Sequence, residues 1–355
     1  MKKNLLCVFV SLWLMLLSGC ERTGSTSSPT QVTLYCSVDE VYAKPIIHDL
    51  EKKTGLKINV LYDTEAAKTA GLANRIRAER NRPQGDVFWS SALLQTLLLK
   101  REGLLQPYKS PAAKDIPAAF KDPTGAWTGM GVRARVLVRY GDIGLPPRSL
   151  EDLAKPEWKL SGISNPQFGT ASDWVAALAT RWGVPKTLSY FRALKKNGVQ
   201  ILPGNSVVAD RVGAGTLDAG VTDSDDYLAQ KHKGGEIICI DDSELLWGQK
   251  LREPKATNAV LVPGSVALLK GAPHPAAAQR LLDALVAVET ERRLTRQMPG
   301  VLSLRQLEKG TVWHFGNDPL SGVELKRHHI PNDTARWPAA WDKIREPLAE
   351  ILLSD

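Results

Sequence analysis

Short apolar runs alternate with stretches of helical periodicity in the N-terminal part of the chain. Residues 32–36 form a β-branched run, residues 42–54 place their apolar side chains at helical spacing, and residues 56–62 alternate like a strand. A second helix is predicted over 66–81, and a buried strand over 86–89. Strands that alternate with helices in this way predict a mainly parallel sheet with helices on both faces.

A second unit of the same kind begins near Gly129. Its predicted elements are strand 135–138, helix 149–154, strand 162–164, helices 171–182 and 188–197, a helix starting at Ser206, and strand 220–222. From residue 256 the pattern resembles the first unit again, with strands 258–262 and 265–269 and helix 275–288. A chain that leaves one lobe, builds another and returns predicts a hinge of two or more strands. We therefore expect an α/β fold with two lobes, residues 32–128 plus 256–305 and residues 129–255 plus 306–355.

The N-terminus predicts export from the cytoplasm. Two lysines precede an apolar stretch over residues 5–17, shorter than the ~20 residues that span a bilayer and typical of a secretory signal. The stretch ends in Leu17-Ser18-Gly19-Cys20, which resembles the lipobox of bacterial lipoproteins. We expect a signal peptide over 1–19, a lipid on Cys20, a flexible tether over 20–31, and a location at the periplasm or cell surface. A plain secretory signal with an incidental cysteine is the alternative.

Composition excludes several classes of protein. With 355 residues, 43% hydrophobic and 24% charged, the chain resembles a globular protein rather than a disordered one. The formal charge of +8 is spread along the sequence among acidic residues, so no nucleic-acid partner is expected. Cys36 and Cys239 both lie in apolar runs, which favours two buried thiols over a disulfide and leaves both open.

Polar side chains follow several predicted strands at their carboxyl ends. In a parallel α/β sheet ligands bind at these ends. A single polar residue there is commonly a helix N-cap, but three successive loops favour a binding rim. The residues that we expect to contact a ligand are Ser37, Asp39, Glu65, Trp89, Ser90, Arg133, Asn165, Thr170, Asn205 and Ser206.

Three aspartates, Asp223, Asp225 and Asp226, follow the strand at 220–222. One of them suffices to cap the next helix, and three carboxylates packed together raise one another's pKa unless a cation or an arginine neutralises them. A positively charged ligand is therefore the simplest partner, while internal pairing with Arg133 stays equally open.

The rival ligand class is anionic. The hydroxyl and amide side chains of the predicted rim, together with Arg133, are groups that hold phosphate, particularly at helix N-termini. Asp225 and Asp226 would then bind sugar hydroxyls or an ammonium group. The residues of this alternative are Ser37, Ser90, Ser91, Arg133, Thr170, Asn205 and Ser206.

Four segments in order resemble the periplasmic ferric-iron-type solute-binding proteins, the type 2 binding subunits of ABC importers. They are Val32-Thr33-Leu34-Tyr35-Cys36-Ser37-Val38-Asp39, Gly85-Asp86-Val87-Phe88-Trp89, Asn205-Ser206-Val207-Val208 and Gly271-Ala272-Pro273-His274-Pro275. The resemblance implies a type 2 periplasmic-binding-protein fold whose lobes close on a small ligand. It also implies that the permease and ATPase are separate chains, and we expect a monomer.

The iron ligands of that family do not carry over. Iron-binding members use a His after the first strand and adjacent Tyr residues after the strand that here is 220–222. In this chain the first position falls on Asp39, and the tyrosine pair falls on Asp225 and Asp226. Tyr227 lies one position after that pair. Carboxylates suit calcium, magnesium or manganese as readily as ferric ion, which the resemblance makes the default. The expected metal set is Asp39, Asp223, Asp225 and Asp226, with the metal as cargo and no resident cofactor.

Catalytic motifs are absent from the sequence. It contains no Gly-x-Ser-x-Gly elbow, no Walker loop and no His-Glu-x-x-His, and its six histidines avoid the predicted rim. We expect a binding protein and no enzyme.

Overall fold

The computed structural model describes residues 30–63, 69–141, 147, 149–240, 260–309, 313–314, 322–323 and 333–354. The predicted signal peptide, Cys20 and Glu65 lie outside the described residues. The strands are β1 (Gln31–Cys36), β2 (Lys57–Tyr62), β3 (Val87–Ser90), β4 (Leu105–Gln106), β5 (Thr128–Tyr140), β6 (Ser161–Ser164), β7 (Gln200–Leu202), β8 (Ala219–Asp223), β9 (Ile237–Ile240), β10 (Val260–Leu269), β11 (Trp313–His314) and β12 (Gly322–Val323). The α-helices are α1 (Glu40–Thr54), α2 (Ala70–Ala78), α3 (Leu94–Arg101), α4 (Gly169–Trp182), α5 (Val184–Lys196), α6 (Asn205–Gly213), α7 (Ser224–His232), α8 (Pro275–Leu285), α9 (Val288–Gln297) and α10 (Trp337–Leu353).

In the part of the chain that the structure describes, one mixed sheet of ten strands runs through the molecule. Its order is β2-β1-β3-β10-β5-β8-β6-β7, with β4 paired to β10 and β9 to β5. The strands toward each end are parallel, β1 with β2 and β3, and β6 with β7 and β8. The central strands β5 and β10 run antiparallel to each other and to β8 and β3. We call residues 31–106 the first half and residues 161–240 the second half.

The two central strands are longer than the sequence pattern predicted. β5 pairs with β10 as far as Arg135 and with β8 from Arg135 onward, so it belongs to both halves. β10 includes both short strands predicted over 258–269, and its register shifts around Gly264. A Cβ atom at Gly264 would lie 2.7 Å from the Met130 carbonyl oxygen, so the glycine lets the two backbones approach. Two continuous strands therefore cross between the halves.

Two local expectations were wrong. The predicted helix 275–288 ends at Leu285 and a new helix begins at Val288, because Ala287 has extended backbone angles (φ −64°, ψ 150°) between α8 and α9. Residues 150–154 form a 3-10 helix rather than an α-helix. The favoured reading of the cysteines is confirmed, since Cys36 and Cys239 are separate buried thiols and the disulfide alternative is excluded.

The C-terminal helix covers the second half of the sheet. α10 packs against α4 and α5 and buries Trp337, Ile344 and Leu348 completely. It also reaches the first half, where Arg101 Nη1 and Nη2 contact the Asp342 carboxylate at 2.6 and 3.1 Å. The exact lobe boundaries stay a prediction. Within the described residues, no helix combines the length and the apolar character that crossing a membrane requires.

Candidate functional site

The loops after β1 and β3 meet at the carboxyl ends of these strands. The Ser37 amide donates to the Trp89 carbonyl at 2.9 Å, and the Ser91 amide donates to Ser37 Oγ at 2.9 Å. Both serines are buried. Parallel pairing of β1 with β3 places the two loops side by side, as the sequence predicted, and the hydrogen bonds fix them to each other.

Arg133 and Arg135 project from the crossing strand β5 on the same face, because side chains two residues apart share a face. Arg135 Nη1 contacts Asp223 Oδ1 at 2.9 Å and donates to Asn205 Oδ1 at 2.6 Å. Its guanidinium lies 5.3 Å from the centre of the Trp174 ring. The charged ends of Arg135 and Asp223 are almost completely buried. Asp223 is therefore paired inside the protein, with Arg135 and not with Arg133.

The other oxygen of Asp223 is also occupied. Asn205 Nδ2 donates to Asp223 Oδ2 at 2.9 Å, and Thr170 Oγ1 donates to the same atom. Thr170 lies in the first turn of α4 and Asn205 in the first turn of α6, so two helix N-termini approach one carboxylate. Two of the groups expected to hold a phosphate, Thr170 and Asn205, thus already hold Asp223.

Arg133 forms the second ion pair of the cluster. Its Nη2 lies 3.1 Å from Asp225 Oδ2, and its Nη1 donates to the Ser91 carbonyl at 3.3 Å. Asp225 Oδ1 is buried and has no hydrogen-bond partner among the described residues. Burial raises the pKa of Asp225, and the Arg133 charge opposes that rise. Arg133 thus connects the loop after β3 to the first turn of α7.

Asp39 faces this ion pair from the first half of the sheet. Burial raises the pKa of Asp225, and the negative charge of Asp39 adds to that rise. Burial opposes the rise in the pKa of Arg133, which the charges of Asp225 and, to a smaller extent, Asp39 produce. Tyr42, one turn along α1, has its pKa raised by burial and by Asp225, Asp39 and Asp226. The carboxylates that follow β1 and β8 therefore act on the same small volume.

We call Asp39, Asp223, Asp225 and Asp226 the acidic cluster. One carboxylate oxygen from each of its last three members lies within 4.8 Å of the other two, a spacing that could hold a metal ion. Asp223 does not act as a helix cap, since it stands at the N-cap of α7 without a side-chain capping bond. The position of all three at the N-terminus of α7 still favours negative charge.

The remaining residues that were predicted to contact a ligand are buried, locally hydrogen-bonded or exposed. Trp89 and Ser90 are fully buried, and Ser90 Oγ donates to the Ala92 carbonyl at 2.6 Å. Asn165 Oδ1 accepts from the Gln167 amide at 3.1 Å within its own turn. Ser206 is exposed on α6. The structure therefore brings Arg133, Thr170 and Asn205 to the acidic cluster, and it gives Ser90 and Asn165 local hydrogen bonds.

The sequence reasoning missed the loop after α9. Ser224 Oγ donates to the Gly300 carbonyl at 2.7 Å, and Ser224 also accepts from the Ala134 amide at 3.0 Å. Gly300 has φ +89°, and a Cβ atom there would collide with the Ser224 carbonyl and lie 2.7 Å from the Asp225 Cα. The Pro299-Gly300 pair was the signal available in the sequence. This loop holds the first turn of α7, and with it Asp225, against β5.

A small recess opens beside Arg133, with a cavity volume of about 20 Å³. Val38, Ser91, Arg133, Met298 and Val301 are among its lining residues. Its walls thus come from the loops after β1 and β3, from β5 and from the segment that follows α9.

Comparison with known proteins identifies the family that shares this architecture. The sequence profile of the bacterial extracellular solute-binding proteins matches residues 32–297. The chain belongs to this family. The match includes both central strands and every member of the acidic cluster. The expected class, a solute-binding protein that captures a small ligand for import, is thereby confirmed.

Two characterised relatives of this solute-binding protein are named for ferric iron. The "Fe(3+)-binding periplasmic protein" of Serratia marcescens is 28% identical over 201 residues, which is 56% of this chain and 58% of that protein. The "Major ferric iron-binding protein" of Neisseria meningitidis serogroup A is 25% identical over 312 residues, which is 85% of this chain and 88% of that protein.

Solved structures confirm the fold. Iron-bound HitA from Pseudomonas aeruginosa matches with a TM-score of 0.74 at 21% identity, covering 92% of this chain and all of that chain. AfuA from Actinobacillus pleuropneumoniae, solved with fructose-6-phosphate, matches with a TM-score of 0.73 at 21% identity, covering 92% and 99%. The two-lobed periplasmic-binding-protein architecture predicted from the sequence is therefore correct.

Proposed function

We propose that this solute-binding protein captures a multiply charged, oxygen-preferring metal cation between Asp39 and the Asp225–Asp226 pair. The observation that carries the proposal is the convergence of carboxylates from both halves on one gap. Arg135 is already committed to Asp223 and Arg133 to Asp225. A positive ligand is what this distribution of charge attracts.

The buried oxygen of Asp225 supports a metal as the ligand. Asp225 Oδ1 has no hydrogen-bond partner among the described residues, and a buried carboxylate oxygen left without a partner is costly. A bound cation would satisfy it. Asp223 would stabilise the site without binding the metal directly, since its oxygens already accept hydrogen bonds from the protein's own donors.

Ferric iron is the cation that the relatives favour. The two named relatives are described by ferric iron binding, and HitA was solved in an iron-bound form. Carboxylates in place of phenolate and imidazole are hard oxygen ligands that also suit manganese, calcium and magnesium. We propose ferric iron as the first candidate and manganese as the second.

A phosphorylated organic ligand is the alternative function. The structural similarity to AfuA and the presence of Arg133 favour it. Against it, Thr170, Asn205 and Arg135 already surround a carboxylate. An incoming phosphate would meet that fixed negative charge.

Import requires partners that follow from this role. We propose that closure around the cation creates the surface recognised by an ABC permease, which works with an ATPase on a separate chain. A lipid on Cys20 would hold the mature protein at the membrane facing the periplasm or the cell exterior. No chemical turnover is required of the protein, which we propose acts as a monomer.

Calorimetric titration tests the ligand class. The probes are Mn²⁺, Fe³⁺ supplied as its nitrilotriacetate complex, and fructose 6-phosphate. We expect both metals to bind the wild type, and Asp225→Asn to weaken them by at least the roughly 10- to 100-fold that outer-shell residues cost at metal sites. Asp210→Asn is the matched control, because Asp210 is an exposed carboxylate on α6 of the second half. Binding of the sugar phosphate without either metal would establish the alternative.

A further inference from the structure

Two arginines on one face of β5 have different environments. Arg135 contacts Asp223, Asn205 and the Val221 carbonyl, and its guanidinium stacks on Trp174. Its charged end is 1% exposed. An arginine fixed by this many partners is part of the permanent structure.

Arg133 is held much less completely. Within the described ranges, it pairs with the carboxylate of Asp225 at 3.1 Å and makes one long hydrogen bond to the Ser91 carbonyl at 3.3 Å. Its side chain is 13% exposed and lines the recess beside the acidic cluster. Arg133 thus borders the recess and pairs with the carboxylate that the proposed metal would need.

We propose that Arg133 is a built-in counter-ion that the captured cation displaces from Asp225, and that this competition selects multiply charged cations. The proposal rests on the metal-binding function proposed above. It assigns Arg133 a role in specificity, whereas the phosphate alternative would make it an anion clamp.

Charge explains the selection. The guanidinium and an incoming cation repel each other, so both cannot hold Asp225 closely at once. A monovalent cation offers Asp225 no more charge than Arg133 already does. A divalent or trivalent cation gains additional attraction from Asp39, Asp225 and Asp226 together. Because a neighbouring charge changes the proton affinity of a carboxylate by about 10- to 1,000-fold, a comparable range is expected for a metal.

Removal of the positive charge tests the proposal. We expect Arg133→Gln to bind Mn²⁺ and the Fe³⁺ nitrilotriacetate complex at least about tenfold more tightly than the wild type. In the presence of a chelator, Arg133→Gln should have a lower Tm than the wild type, since Asp225 loses its partner. Added metal should then raise the Tm of Arg133→Gln by more than it raises the Tm of the wild type. Arg211→Gln, which changes an exposed arginine on α6, is the matched control and should leave metal affinity unchanged.

Selectivity gives a second measurement. We compare the Tm in K⁺ with the Tm in tetramethylammonium at the same ionic strength. K⁺ should leave the Tm of the wild type unchanged and should raise the Tm of Arg133→Gln. Arg133→Lys keeps the charge without the planar fork, so it remains informative if the glutamine variant does not fold. Its metal affinity should lie between those of the wild type and Arg133→Gln.

The outcomes separate the two proposals. If the wild type binds metal and Arg133→Gln or Arg133→Lys binds it more weakly, Arg133 assists binding and the counter-ion role is wrong, while the metal-binding function stands. If the wild type and the Arg133 variants bind metal with equal affinity, Arg133 does not compete with the metal for Asp225. If the wild type and both variants bind neither metal, the proposed function itself is wrong and the counter-ion role falls with it.

Discussion

The Asp173 carboxylate on α4 accepts a hydrogen bond from the backbone amide of Leu93, with 2.6 Å between Oδ2 and N. Its other oxygen accepts from the Leu94 amide at 3.0 Å. A carboxylate of the second half thus satisfies the free amides at the start of α3 in the first half. Asp173 is completely buried, and burial raises its pKa to about 7.

This raised pKa predicts that Asp173 makes stability depend on pH. The two amides and the Arg133 charge favour the ionised form, while burial and the Asp223 charge disfavour it and prevail. Between about pH 4 and pH 7 the folded protein therefore holds a proton that the unfolded chain has lost. By linkage, the stability that this proton contributes is present at low pH and is lost as the pH rises toward 7.

Chemical denaturation at several pH values checks this prediction. The free energy of unfolding of the wild type should fall more steeply with rising pH in this window than that of Asp173→Asn, which cannot ionise. Asp210→Asn should follow the wild type. Parallel curves for the wild type and Asp173→Asn would show that Asp173 is ionised throughout.

The buried pair of Arg135 and Asp223 predicts a large loss of stability when one partner is removed. Arg135→Met should lower the free energy of unfolding by about 3–5 kcal/mol, because Asp223 is left buried without its counter-charge. Combining it with Asp223→Asn should recover part of the loss. Arg101→Met breaks the half-exposed pair with Asp342 and should cost no more than about 1 kcal/mol. Equal losses from the two arginine variants would contradict the assignment of Arg135 as structural.

The contact of Gly300 with α7 predicts that a single methyl group disturbs the site. Gly300→Ala should destabilise the protein by more than the roughly 1–2 kcal/mol that left-handed backbone costs an alanine, because the methyl group collides with the Ser224 carbonyl. Gly55→Ala is the matched control, since Gly55 has φ +66° but no atom within 4 Å of its Cβ position. Metal affinity should fall only for Gly300→Ala. Equal stability losses would show that the first turn of α7 yields without cost.

The two crossing strands predict that the protein closes on its ligand. Small-angle X-ray scattering should give a smaller radius of gyration with saturating Mn²⁺ than in chelator. Asp39→Asn should reduce this change, because Asp39 is the member of the acidic cluster contributed from the loop after β1. An unchanged radius of gyration for a wild type that binds Mn²⁺ would exclude closure.

The predicted lipid anchor is tested on Cys20. Intact-mass analysis of the membrane fraction should show a mature N-terminus at Cys20 carrying a diacylglyceryl group. Cys20→Ala should abolish this species. A mature chain without lipid would indicate a plain secretory signal.

Local pattern predicted the elements but not their continuity. The alternation of apolar runs with helical periodicity is a property of neighbouring residues, so it identified both α/β units and the strand ends that carry Asp39 and Asp225. The apparent break near Gly264 is a register shift within one strand, which pairs with β5 on both sides of it. The end of α8 likewise depends on the backbone of Ala287.

The sequence by itself determined the class of fold and the acidic residues available to bind a ligand, because these depend on residue type and spacing along the chain. Only the tertiary structure decided which charges neutralise one another. Asp223 pairs with Arg135 across 88 positions, and Asp173 reaches Leu93 across 80. Such pairs depend on how strands align and helices pack, which short-range pattern does not contain. That arrangement pairs Asp225 with Arg133 and leaves it one buried oxygen for a ligand to satisfy.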